Sequence, residues 1–277
     1  MKDNNIKPKH KKHLYLHIIT ALCSVMVILV CSLLFLMTHK WSDTYQDYDS
    51  NNHNITEYGK TLVSAHRSGG GIFPENTMMA FEGCVNSQTF ETDIIEFDVR
   101  LTADEKLIIL HDETLDEVTD AIEYFGKTDN YPEDYTYEEI YNLNFGEHFK
   151  NKDGEAVYKG LRGENIPYNL RVLTVTDALT YLENNGKYYY SIEIKNSGEA
   201  GLKAADILYE TLVKYNCLDR TVVGTFNNEV TTYMDSEYPD MMRSAGVNEV
   251  IKFFVCSLLN WPVDEDTFNF VALQIPT

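Results

Sequence analysis

IIEFDVRL, residues 94–101, sets two carboxylates two positions apart inside an apolar run. Side chains alternate across a strand, so Glu96 and Asp98 share one face while Ile95, Phe97 and Val99 occupy the other. An acidic pair on a strand is ordinarily a solvated face. Here the opposite face is apolar, and neither face reads as solvent. Such a strand suits a wall with helices packed outside and a polar site within.

The same rhythm runs outward in both directions. Six further β-rich runs occur at 61–65, 106–111, 188–195, 220–226, 243–247 and 269–276. Helical patterns lie between them at 76–87, 174–186 and 198–216, the second with Thr176 and Asp177 as capping candidates. Strand and helix in alternation imply parallel strands with crossover helices. A (β/α)8 barrel is the simplest closed version and a doubly wound open sheet is the alternative. Residues 113–171, rich in Tyr, Asp, Glu and Asn, break the rhythm and read as a subdomain inserted after the third strand. Seven strand candidates are present, so the barrel at 61–277 is expected to lack its eighth repeat and to be incomplete at the C-terminus.

Polar residues collect at the ends of these runs. His66 and Arg67 close the first, His111 and Asp112 the third, and Glu193 and Lys195 the fourth. In a parallel barrel the C-terminal strand ends form one rim, the usual place of an active site. Taken singly, a strand-end histidine is more often a satisfied structural group than a catalyst. Taken together, Glu96, Asp98 and Glu193 would repel one another unless a cation lay between them. All-oxygen donors suit Mg²⁺ or Ca²⁺, and no thiolate cluster or HExxH favours zinc. Such a metal would polarise a phosphoryl oxygen, while Arg67 and Lys195 hold the other non-bridging oxygens. His66 and His111 would serve as general base and general acid.

The stretches AHRSGGGIFPENTMMAFEG, EFDVRLTADEKLIILHDETLDEVT, IPYNLRVLTVTDAL and YYYSIEIKNS resemble, in order and spacing, the glycerophosphodiester phosphodiesterase family. The resemblance runs from about Leu62 to Lys195 and combines HR…PENT, ExD, HD and ExK. It implies a barrel with an insertion after the third strand, metal carboxylates at Glu96, Asp98 and Glu193, and an acid–base pair at His66 and His111. It also implies a phosphate contact at Arg67, with Glu75, Asn76 and Asp112 supporting these groups from behind. The implied reaction hydrolyses glycerophosphodiesters to sn-glycerol 3-phosphate and an alcohol, with the glycerol hydroxyl attacking phosphorus to give a cyclic intermediate. Two departures stand out: SGGG follows HR where the family commonly has a small pair, and the tryptophan-bearing eighth repeat is missing. The alternatives are another lipid or teichoic-polymer phosphodiesterase and, in a different class, a lapsed enzyme that only binds a ligand or partner.

Placement follows from the N-terminus. Residues 1–13 carry Lys2, Lys7, Lys9, Lys11 and Lys12 against Asp3. Leu14 to Met37 then run without charge, apart from His17 if protonated. At 1.5 Å per residue this covers about 36 Å, against a hydrocarbon core of roughly 30 Å. The positive-inside rule keeps the N-terminus cytoplasmic and puts the rest outside the cell membrane as a single-pass protein. A cleaved signal peptide is the rival, but the apolar run is long and no A-x-A pattern ends it. Residues 38–60 read as a polar tether, with a glycosylation sequon at Asn54. The formal net charge of -20 excludes nucleic acid as a partner and favours a multivalent cation. Cys84, Cys217 and Cys256 have no metal-like spacing and read as packing thiols.

Overall fold

The computed structural model describes residues 9–38, 61–259, 261 and 269–274. The basic stretch up to residue 8, and the tether at 39–60 with its Asn54 sequon, lie outside the described residues. The chain divides into two compact units, one of residues 1–48 and 250–267 and one of 49–249 and 268–277.

The first unit is dominated by α1 (Lys9–Thr38). Its segment His17–Phe35 has a mean hydropathy of 2.8 and no buried residue, with Leu22, Val25, Ile28 and Leu29 all exposed. A helix apolar on every side suits hydrocarbon rather than water. By length and composition it can cross a membrane.

The second unit is an α/β fold. In chain order it holds β1 (Ser64–Ala65), α2 (Met78–Val85), β2 (Ile94–Leu101) and β3 (Leu107–Ile109). The short helices α3 (Ala121–Phe125) and α4 (Tyr137–Ile140) follow, then α5 (Val175–Asn185), β4 (Tyr189–Ile194) and α6 (Gly198–Lys214). Last come β5 (Thr221–Gly224), α7 (Asn228–Glu237) and α8 (Val247–Leu259), whose end from residue 250 belongs to the first unit. β1 pairs parallel with β2, β2 with β4 over Ile94↔Tyr189 to Val99↔Ile194, and β4 with β5. Single parallel bridges, Val223↔Arg243 and Ser244↔Ala272, continue the wall in the same spatial order. Among the described residues, the runs expected at 243–247 and 269–276 are thus present only as bridges, and the run expected at 61–65 shortens to two residues. Ahead of β1 the pairing turns irregular: Val63 donates to the Asp93 side chain, and its carbonyl accepts from both Asp93 and Ile94.

The third run corrects the expected order of the wall. β3 is antiparallel to β2, with Val99↔Ile109 and Leu101↔Leu107, and β4 takes the parallel position beside β2. The reason is loop length. Thr102 to Lys106 is a hairpin connection, whereas parallel strands need a crossover of about a dozen residues or more. Thr102 closes the turn by donating from Oγ1 to Asp104 and accepting from the Lys106 amide.

The outer face of the wall carries the core. Ile95, Phe97, Val99, Ile192, Ile194 and Val223 pack under Phe81 of α2, Leu179 and Leu182 of α5, and Leu208 and Leu212 of α6. Phe97 meets Phe81 edge to face at 5.8 Å. A second core, built on Ile108, Leu115, Ile140, Leu143 and Phe145, lies under the excursion between β3 and α5. The one-turn helix α4 there is capped reciprocally by Thr136 and Glu139. Of the two capping candidates for α5, Asp177 takes part in the cap and Thr176 does not. Thr174 is the N-cap and Asp177 its reciprocal partner three residues on, while Thr176 lies inside the helix. Cys84 and Cys217 are buried thiols without disulfides.

Candidate active site

The chain leaves β1 through a sharp turn. Arg67 (φ 48), Ser68 (φ 59) and Gly69 (φ 98) are successively left-handed, a conformation that costs non-glycine residues energy. Both Gly69 and Gly70 donate to the His66 carbonyl, at 2.9 and 3.0 Å. A Cβ on Gly69 would lie 2.8 Å from Cys84 Sγ, so only glycine fits. The turn is tied to the wall by Arg67 N–H donating to Glu96 Oε2 at 2.5 Å. Asn76, itself left-handed, donates its amide to the Arg67 carbonyl and its side-chain Nδ2 to Asp98 Oδ2 at 3.3 Å.

Two clusters result. In the first, Arg67 Nη1 donates to both Glu75 oxygens at 3.0 and 3.2 Å, and Nη2 lies 3.0 Å from His111 Nε2. His111 Nδ1 is 2.8 Å from Asp112 Oδ1. A guanidinium can only donate, so Nε2 accepts and Nδ1 carries the hydrogen toward Asp112. His111 reaches this position along the antiparallel β3, not at the end of a parallel wall strand. The His66 side chain is exposed and, among the described residues, makes no hydrogen bond or ion pair with the rest.

The second cluster lies on the inner face of the wall. Register sets Asp98 beside Glu193 and Glu96 beside Ser191. Lys195 Nζ is 2.9 Å from Glu193 Oε1 and 3.6 Å from Asp98 Oδ1. Burial pushes the Glu96 carboxyl up to about 7, reinforced by the charge of Asp98 and, more weakly, of Glu193. Asp98 Oδ1 and Asn76 Oδ1 are buried acceptors without a hydrogen-bond donor. Carboxylates this crowded, with oxygens left unpaired beside them, have the chemistry of a hard divalent-cation site. Among the described residues no three such side chains are yet gathered to coordinating distance. Lys195 supplies the nearest compensating charge.

Two residues at the rim escaped the sequence reading. Arg100 follows Glu96 and Asp98 on the same face of β2, and lies 3.7 Å from Glu133. The period of two that selected the carboxylates pointed to it equally. Phe226, beyond β5, is 70% exposed, with Lys195 Nζ 5.9 Å from its ring centre. Its signal was an aromatic residue at the end of a strand-like run.

Residues 66–251 match the sequence model of the glycerophosphoryl diester phosphodiesterase family. A match over more than half of the chain, on the elements that carry this site, means that the chain belongs to that family. It is 32% identical over 169 residues to the glycerophosphodiester phosphodiesterase of Caldanaerobacter subterraneus subsp. tengcongensis, covering 61% of this chain and 59% of that relative. Among solved structures it resembles the glycerophosphoryl diester phosphodiesterase domain of a Mycobacterium tuberculosis protein. That likeness has a TM-score of 0.57 and 17% identity, over 74% of this chain and 67% of the other. It also resembles an Oleispira antarctica phosphodiesterase solved in complex with the product sn-glycerol-3-phosphate, with a TM-score of 0.53 and 18% identity over 73% and 72% of the two chains. At these identities the structural likeness is one of fold, and the fold is the barrel-like α/β wall described above.

Proposed function

We propose that this protein hydrolyses glycerophosphodiesters to sn-glycerol 3-phosphate and an alcohol. The observation that carries the reading is the relay from Glu75 through Arg67 to His111 and Asp112, beside an inward carboxylate cluster. Arg67 and Lys195 receive the non-bridging phosphate oxygens. His66 takes the proton of the attacking hydroxyl, as the family resemblance implies for the glycerol of the substrate itself. As the new P–O bond forms, the bond to the leaving alcohol breaks, and His111 gives its proton to the departing oxygen. Substrate draws Arg67 Nη2 away from His111 Nε2. That nitrogen can then carry a proton, and the Asp112 carboxylate on Nδ1 stabilises the imidazolium. Water then opens the cyclic phosphodiester with the two histidines in exchanged roles.

A divalent cation, Ca²⁺ or Mg²⁺, would be held by Glu96, Asp98 and Glu193, and when bound supplies charge against the phosphate oxygens. Asn76 and Glu75 keep Asp98 and Arg67 in place. The domain layout belongs to the same reading: a basic tail at 1–13, a membrane anchor at 14–37, a tether at 38–60 and a catalytic domain from 61 onward, outside the cell. The test is to incubate the full chain in detergent with glycerophosphocholine, glycerophosphoethanolamine and glycerophosphoglycerol, with and without chelator. Release of sn-glycerol 3-phosphate that chelator abolishes is expected. No release from any of them overturns the reading.

A further inference from the structure

A cavity of roughly 240 Å³ adjoins the catalytic relay at Glu75 and Asp112, the carboxylates that pair with Arg67 and His111. Phe73, Phe145 and Phe149 line it together with Glu75, Asp112 and Glu117. Among the described residues that line it, the one basic group is the His148 imidazole, with no lysine or arginine. Glu75 is neutralised by Arg67 at 3.0 Å, and Asp112 accepts from His111 at 2.8 Å. Glu117 is exposed and has no ion-pair partner among the described residues, so its charge is the uncompensated one. The aromatic wall is fixed in advance. Asn144 donates its amide to Asp120 at 2.7 Å and accepts from Gly146 at 2.9 Å, Phe145 donates to the Leu170 carbonyl, and Phe149 packs 5.9 Å from Tyr158.

We propose that this cavity seats the leaving alcohol and selects alcohols that bear an ammonium group. The inference rests on the phosphodiesterase reading, in which His111 protonates the departing oxygen and the alcohol must lie on its side. Aromatic faces attract a cation through the ring quadrupole, and an adjacent carboxylate adds direct attraction. A neutral polyol gains neither, and an anionic head group meets Glu117. The preference for a cationic over a neutral alcohol is expected to be on the order of tenfold in kcat/KM, expressed mainly through KM.

The experiment compares glycerophosphocholine with glycerophosphoglycerol in the wild-type chain and in Glu117→Lys. Wild type prefers the choline ester, and Glu117→Lys inverts the order. Equal kcat/KM for the two esters in wild type, or a ratio unmoved by Glu117→Lys, overturns the proposal. Calorimetry with free choline and its uncharged tert-butyl isostere gives a readout independent of turnover. If no glycerophosphodiester is hydrolysed, the phosphodiesterase reading fails and binding decides the cavity alone. Tighter binding of choline by wild type but not by Glu117→Lys upholds it, and equal binding of the two probes overturns it.

Discussion

Glu96 is the residue whose protonation most directly reports the state of the site. Its pKa is raised from 4.5 to about 7 by burial and by the neighbouring carboxylates. A raised folded value means that the protonated form is favoured by folding. The stability this contributes is complete below pH 4.5 and is lost as pH rises through 7. The displacement corresponds to about 3 kcal/mol. Metal-free protein is therefore expected to melt at progressively lower temperature from pH 5 to pH 8, and Glu96→Gln to flatten that profile. Ca²⁺ or Mg²⁺ should restore stability more at pH 8 than at pH 5, since binding requires the carboxylate; a flat wild-type profile would refute this account. The histidines give a second prediction. His66→Ala and His111→Ala should each lower turnover by roughly 10² to 10⁴. A nitrophenyl leaving group, which needs no protonation, should rescue His111→Ala in large part and His66→Ala not at all; equal rescue of both would reverse or remove the assignment. At this scale the sequence was informative because strand ends and a period of two pick out inward polar side chains. Glu96, Asp98, Glu193 and Lys195 do lie on one face. The links from Arg67 to Glu75 and His111 were hidden, because they depend on a left-handed turn and on a hairpin return.

Elements were legible to the extent that their signals are local. β2, β4 and α6, the helix that follows β4, match apolar periodicity, which burial against one face imposes. The hairpin of β2 and β3 was open to view in its five-residue connection, yet the alternation of strand and helix masked it. The short wall strands were harder. Arg243 and Ala272 contribute only single bridges, and their placement depends on neighbours distant in sequence. The α5 cap shows how a two-residue offset changes an assignment. Thr174 Oγ1 accepts from Asp177 N–H at 3.1 Å, and the Asp177 carboxylate accepts from Thr174 N–H at 3.1 Å. Thr174→Ala should therefore cost about 1 kcal/mol of stability. Thr176→Ala, at an exposed position inside the helix, should stay within about 0.5 kcal/mol of wild type. Thermal or denaturant unfolding of the two variants separates them, and equal losses would move the cap back to where the sequence alone suggested it. Phe97→Ala sets the scale for the core behind the site: loss of a fully buried ring should cost about 3–5 kcal/mol.

At the scale of the whole molecule, the question is where the catalytic unit is held. The span His17–Phe35 exposes apolar side chains all round, including Met26, Leu29 and Phe35. Water disfavours such a helix, whereas a bilayer satisfies it, since every backbone group inside the span is bonded within the helix. The lysines at 2, 7, 9, 11 and 12 precede it, and Lys40 alone follows closely. By the positive-inside rule, that asymmetry predicts a cytoplasmic N-terminus if the helix stays in the membrane. The full chain is therefore expected to sediment with membranes, to resist extraction by high salt and to be released by detergent. Removing residues 1–37 should move it to the soluble fraction. Protease added to intact cells should degrade the region after residue 39 while sparing an N-terminal tag. A mature protein found to begin near residue 40 would instead make the helix a cleaved signal. Degradation of the N-terminal tag with survival of the catalytic unit would reverse the orientation, and with it the idea that the substrate is met outside the cell.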